Sequence, residues 1–258
     1  MKHFYLLLIL FTSSCFSWAL KAQNFEEAHQ FHSWFYYIGD HKISDKWGIH
    51  PELQYRRTGL GTKPQEFLIR FAVNYHPNDN VMFSAGYVYA LQYPYGVFPI
   101  DFRFPEHRIY QQAEYNHKIH NIELSHRGRL EQRWIAEITG VPDAGSEGGV
   151  RPVREGWPFQ NRFRYNLGIT IPFQGTSIDN KEYYLFASNE IFFSFGENVS
   201  NNQLSQNRAQ IGIGYQAGSF GRVEFGYLYQ IIKDPDLLQK ENNHTLIVAW
   251  ISRFDFHK

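Results

Sequence analysis

From residue 66 to residue 75 the chain reads Glu-Phe-Leu-Ile-Arg-Phe-Ala-Val-Asn-Tyr, with Phe67, Ile69, Phe71, Val73 and Tyr75 at the odd positions and mostly small or polar residues between them. Alternation with a period of two sends successive side chains to opposite faces of a strand. The pattern recurs along the chain: Val81, Phe83, Ala85, Tyr87, Tyr89, Leu91 and Tyr93 form one row, and Phe159, Phe163, Tyr165, Leu167, Ile169 and Ile171 another, opposite Gln160, Arg162, Arg164, Asn166 and Thr170. Strands of about ten residues whose two faces meet different solvents predict an all-β fold, an antiparallel up-and-down transmembrane β-barrel.

The N-terminus is consistent with export to such a site. Lys2, an apolar core from Phe4 to Phe11, and the exit through Ser13, Ser14, Ser17 and Ala19 have the parts of a signal peptide. The core falls short of the roughly 20 residues of a spanning helix. A cut after Ala22 is favoured, with Ala19 competing, so residues 1–22 are read as leader and 23–258 as one outer-membrane barrel domain. Cys15 as a lipid acceptor is the weaker reading, because Thr12 sits where an aliphatic residue is usual.

Cys15 is the only cysteine, so the mature chain is expected to lack thiolate metal sites, cysteine nucleophiles and disulfides. Removing Lys2 and Lys21 from 25 basic side chains leaves 23 against 25 acidic ones, a net charge of −2 that argues against nucleic acid as a partner. Aromatic residues make up 18% of the chain while its mean hydropathy is −0.45, a combination that a polar lumen inside an apolar belt explains.

Eleven strands are read at 31–39, 47–57, 65–76, 81–93, 106–117, 120–136, 158–172, 182–195, 206–216, 221–232 and 244–256. Because single-chain barrels of this class have even counts, about twelve strands are expected, with ten as the alternative and 95–104 or the stretch after Gln23 as the place for a missed one. Short links at 76–80, 117–121 and 217–221 alternate with long ones at 94–105, 137–157, 196–205 and 233–243, which orients the short turns to the periplasm. The Gly- and Pro-rich link 137–157 is expected to break strand pairing. Trp250, Phe254 and Phe256 share a face of the last strand and resemble the signal read by barrel-assembly machinery, although His257 and Lys258 follow them.

The most specific local feature lies between residues 123 and 134. Glu123, Ser125, Arg127, Arg129, Glu131 and Arg133 point to one side of a strand, and Leu124, Leu130 and Trp134 to the other. Charge on a lipid face costs roughly 2 to 4 kcal/mol at the midplane for Arg or Lys, so this column faces the lumen. With Glu52, Arg56, Arg70, Glu114, Arg162, Arg164 and Glu190 it forms the expected lumen charge network; Glu66, Arg108, Arg208 and Glu224 are further contributors. In a barrel of this size such charges pair and fill the interior. The alternative is a selectivity lining that passes small anionic solutes.

These same stretches carry a family resemblance. Gly39-Asp40-His41-Lys42-Ile43-Ser44-Asp45-Lys46-Trp47 in the Trp34–Trp47 region, then Glu52-Leu53-Gln54-Tyr55-Arg56, then His126-Arg127-Gly128-Arg129-Leu130-Glu131-Gln132-Arg133 resemble the domain-of-unknown-function 2490 family of secreted Bacteroidetes-type proteins. The resemblance covers most of the mature chain and implies an outer-membrane barrel. It brings no catalytic residues.

An enzyme finds little support. Ser125 and His126 are adjacent on a strand and face opposite sides, so they cannot act as nucleophile and base. His244 with Asp234 and Asp236 would make an Asp/His set for an outer-membrane hydrolase, against which Asp-Pro-Asp reads as a solvated turn. His29 with His32 and His117 with His120 lack metal-ligand spacing, and Gly212-Ile213-Gly214 reads as room inside the barrel. No cofactor, metal or catalytic residue is assigned. The favoured function is a structural or partner-binding barrel with a charge-paired lumen, its partners being outer-membrane lipid, the assembly machinery and, in the channel reading, a small solute. A soluble calycin-like barrel, raised by the sequons at Asn198 and Asn243, would require the two faces reversed.

Overall fold

The computed structural model describes residues 24–199 and 203–257; the expected leader, 1–22, lies outside the described residues. Within them run β1 (Glu26–Gly39), β2 (His41–Lys42), β3 (Trp47–Thr58), β4 (Lys63–Asn78), β5 (Val81–Gln92), β6 (Phe104–Ile119), β7 (Ile122–Ile135), β8 (Glu137–Pro142), β9 (Val150–Gly156), β10 (Phe159–Pro172), β11 (Tyr183–Phe195), β12 (Gln203–Gln216), β13 (Arg222–Asp234) and β14 (Gln239–Ser252). β1 pairs with β3 on one side and β14 on the other, closing a barrel of eleven strands: β1, β3 to β7 and β10 to β14. These are the eleven segments legible from alternation.

All neighbours in the ring are antiparallel except β1 and β14, which run parallel from Glu26 opposite Gln239 to Gly39 opposite Ser252. An even count follows only when every pair is antiparallel. One parallel seam lets an odd number close, and the sheet's twelfth member, β2, lies outside the ring.

The seam continues beyond both strands. Asp40 N–H donates to Ser252 O, Lys42 N–H to Phe254 O and Phe256 N–H to Lys42 O, at 2.9 to 3.0 Å. Regular strand therefore stops at Ser252, and the aromatic tail expected to extend β14 follows β2 as a clasp. The His41 ring stacks on Phe254 at 5.0 Å and meets Phe256 edge-on at 5.7 Å, while its Nδ1 accepts from the Phe254 N–H at 3.2 Å.

One end of the barrel carries the links 93–103 and 136–158 and residues 196–199 together with the turns 59–62 and 235–238. The other carries 40–46, 79–80, 120–121, 173–182 and 217–221. Two expected long loops take other forms. Residues 137–157 hold the hairpin β8–β9, because Ile138, Val141 and Val153 retain strand pairing and left-handed Gly148 and Gly149 reverse the chain between them. Residues 233–243 are mostly strand: Asp234 Oδ1 accepts from the N–H groups of Asp236 and Leu237, an Asx turn that leaves only Pro235–Leu238 as link.

The faces divide as the alternation requires. Phe71, 61% exposed, and Phe35, Phe83, Phe163, Ile211, Phe225 and Val248 point outward, whereas the fully buried Trp34, Tyr110, Tyr184 and Phe192 point in among charged groups. Inward aromatics need space opposite them. At Gly214 an added Cβ would run into the Tyr184 ring, so this position has no room for a side chain.

The seam can be tested by cross-linking. With Cys15→Ser in the background, Phe35→Cys and Val248→Cys, which are register partners, will cross-link on mild oxidation. Phe31→Cys with Val248→Cys, four residues out of register, will not; the reverse result on gels would refute parallel closure. The clasp carries a pH dependence. Burial holds the His41 imidazole below its ordinary value of 6.5. The folded clasp thus favours the neutral ring, and its stabilisation is lost as pH falls below about 6.5. The hydrogen-exchange protection of the Phe254 amide, corrected for intrinsic rate, should drop over that range and lose the dependence in His41→Phe.

Candidate functional site

A strand that must turn charged side chains away from an apolar face has only the lumen to put them in, and the lumen of eleven strands is narrow enough for them to meet. Glu131, wholly buried, takes Arg162 Nε and Nη2 at 2.7 and 2.5 Å on one oxygen and Arg164 Nη1 at 2.8 Å on the other. Glu106 is gripped by Arg108 at 2.6 and 2.8 Å and by Arg133 at 2.5 and 3.1 Å. Glu190 accepts from Arg164 at 3.1 and 2.9 Å and from Arg127 at 2.9 Å. Arg56 donates to Glu66 at 2.6 Å, and Arg70 pairs with Glu52, which also contacts His50 Nε2 at 3.0 Å.

Aromatic faces complete the packing. Arg56 lies 4.2 Å over Trp34, Arg129 lies 4.6 Å over Tyr110, and Arg164 and Arg208 lie 4.5 and 4.7 Å from the Phe192 ring. Guanidinium groups stack on such rings while their edges donate hydrogen bonds, so charge and packing are satisfied together.

Side-chain exposure along β7 is lowest in the middle of the column: 13% at Arg133, 0% at Glu131, 4% at Arg129 and 27% at Arg127. Water is excluded at Glu131 and returns most readily from the short-turn end. A cavity of about 640 Å³ runs beside this level, from Tyr95 to Asp79, Glu123 and Arg253.

The long-loop end has its own stopper. The link 93–103 sends Tyr95 inward, edge-on to the buried His32 at 5.5 Å and with its hydroxyl 3.5 Å from Glu241 Oε2. Burial, reinforced by the Glu241 carboxylate, pushes the Tyr95 phenol up, so it remains a hydrogen-bond donor. Trp34 Nε1 donates to Gln65 Oε1 at 2.7 Å beside it.

Of the residues expected in the network, Glu52, Arg56, Arg70, Arg127, Arg129, Glu131, Arg133, Arg162, Arg164 and Glu190 come together in this ion-paired band. Glu114 and Glu123 do not join it. They stand toward the short-turn end, where Glu114 accepts from Asn116 Nδ2 at 3.2 Å. Glu106 escaped the sequence reading although it shares the face of Arg108 and Glu114 in the strand read at 106–117, and that parity is the signal for it. Tyr95 escaped because a loop carries no facing pattern. Ser125 and His126 face opposite sides, His126 reaching the Tyr165 hydroxyl at 2.8 Å, and His244 Nδ1 meets the Tyr227 hydroxyl at 2.6 Å on the outer face. Among the described residues no group of three or more metal-ligating side chains gathers.

Fold and interior together define a β-barrel with an apolar outer surface and a guanidinium–carboxylate core. The family model described as Protein of unknown function (DUF2490) matches residues 31–241, and the chain belongs to that family. Neither a curated protein nor a solved structure matches it.

Truncating a hub of the network should be costly. Glu131→Gln leaves Arg162 and Arg164 buried without their shared partner and is expected to destabilise the barrel by about 3 to 5 kcal/mol. Glu123→Gln should stay within about 0.5 kcal/mol. Denaturant titrations of the heat-modifiable band on gels measure both; equal, small effects would show that the network is not essential to the fold.

Proposed function

We propose that this protein is an outer-membrane barrel whose lumen is shut by its own ion pairs and which acts as a structural or partner-binding element. The observation that carries the reading is the inversion of faces: Phe35, Phe71, Phe83, Phe163 and Phe225 are outward while Glu52, Glu106, Glu131 and Glu190 are buried inside. Water would leave that outer surface unsatisfied, and lipid suits it. The leader read in residues 1–22 supports export. The two longest links, 93–103 and 136–158, lie at one end and support an orientation with that end outside, so that the β8–β9 hairpin and the link 93–103 meet partners.

Closure of the lumen distinguishes this reading from a passive channel. Glu131 shared by Arg162 and Arg164, and Tyr95 turned inward from the long-link end, support a lumen filled by its own side chains. The hydrolase alternative gains nothing from His244, whose ring is engaged with Tyr227 on the outer face.

The test is planar-bilayer recording on refolded protein lacking residues 1–22, with heat-modifiability as the control for folding. Silence from a folded barrel is expected. Conductance steps whose anion preference falls when Arg127, Arg129 and Arg133 become Gln would overturn closure in favour of a selective channel. Failure of the protein to float with outer-membrane lipid after expression would overturn the location.

A further inference from the structure

The charges of the lumen are segregated along its length. In the central band nine guanidinium groups, those of Arg56, Arg70, Arg108, Arg127, Arg129, Arg133, Arg162, Arg164 and Arg208, face only five carboxylates, Glu52, Glu66, Glu106, Glu131 and Glu190. Toward the short-turn mouth the sign reverses, with the carboxylates of Asp79, Glu114, Glu123 and Glu224 lining the same cavity against the guanidinium of Arg253. None of these four has a basic group within 4 Å among the described residues; Glu224 instead accepts from the Tyr184 hydroxyl at 2.8 Å.

At the boundary between the two regions the arginines have capacity to spare. Arg129, 4% exposed, donates Nε and Nη2 to the neutral Gln112 carbonyl at 2.8 and 2.5 Å and comes only within 3.9 Å of Glu131, which two other arginines already hold. Arg70, equally buried, has an Nε without a hydrogen-bond partner, lies 5.4 Å from the Tyr110 ring and lines the same cavity. Arg127 is reached by water and gives one nitrogen to Glu190. Surplus positive charge removed from water is unfavourable until an anion meets it. A simple anion would have to pass the acidic mouth to get there, and a simple cation would be repelled from the band.

We propose that the short-turn half of the lumen binds a small dipolar solute, its oxyanion on Arg70, Arg127 and Arg129 and its ammonium group toward Glu114 and Glu123. Arg129 is the register partner of Gln112 and Arg127 of Glu114, so the carboxylate of β6 stands one step nearer the mouth than Arg129, about 7 Å along the strand. The site reads solute from the short-turn side only, and binding can be measured in detergent, so it stands or falls independently of membrane location and of conductance.

The experiment is calorimetric titration of the folded barrel in a non-ionic detergent with O-phosphoethanolamine, β-alanine, inorganic phosphate and ethanolamine. At least one of the two dipolar probes should bind more tightly than phosphate or ethanolamine, and Arg129→Gln should weaken it about tenfold, the worth of one charge-assisted contact. The more exposed Arg127→Gln should act in the same direction and serves if Arg129→Gln does not fold. Glu114→Gln with Glu123→Gln should weaken the dipolar probe while strengthening phosphate, because the acidic mouth helps one and opposes the other. Displacement of bound O-phosphoethanolamine by phosphatidylethanolamine micelles would support the same chemistry supplied by a lipid headgroup. Absence of binding by both dipolar probes, or parallel losses for phosphate and the dipolar probe in the double glutamate variant, would overturn the proposal.

Discussion

A carboxylate with no access to water has to be answered by charge, and Glu131 is answered twice over. That arrangement fixes the middle of the barrel: Arg162 and Arg164 come from β10, Glu131 from β7, and Glu190, which Arg164 also holds, from β11. Three adjacent strands are thereby held at one relative height. A slip of any one by a single residue would turn its charges outward and its phenylalanines inward. Register and facing thus rest on one set of ion pairs. Such pairs contribute little net stability over apolar packing of the same shape, but they penalise every misaligned alternative.

The aromatic side chains inside the barrel make this network compact. Trp34, Tyr110 and Phe192 are slabs that guanidinium planes lie against, so the arginines are packed as well as paired. Two further inward rings, Phe186 and Tyr184, occupy the space that the missing side chains of Gly212 and Gly214 leave. Bulk on one strand is matched by its absence on the next, which is how a narrow barrel admits large inward residues.

Much of this architecture is legible in the amino-acid sequence, for a definite physical reason. Alternation is a local property, so each of the eleven barrel strands announces itself, and the column from Glu123 to Arg133 shows its facing through the cost of charge on an apolar face. What stays hidden is non-local. The partner of β1 is some 210 residues away, and no pattern within either strand says whether that pair runs parallel; the general rule of even counts pulls the expectation toward twelve. Tyr95 and the clasp of His41 with Phe254 belong to links, where side chains follow contacts made elsewhere. Which arginine meets which glutamate depends on register, and the parity that Glu106 shares with Arg108 shows its facing but not its partners. Glu114 and Glu123 are grouped with the paired charges when only their facing is known, since facing alone does not distinguish depth along the lumen.

The parallel seam has a consequence for the barrel's polarity as an object. In a wholly antiparallel meander both ends of the chain leave from the same rim. Here the chain enters β1 at the rim of long links and leaves β14 at the opposite one. Anything fused ahead of β1 and anything fused behind β14 would be displayed on opposite sides of whatever the barrel is set in. Joining the two ends to permute the chain would take a connector as long as the barrel is tall, roughly 40 Å along a strand the length of β1.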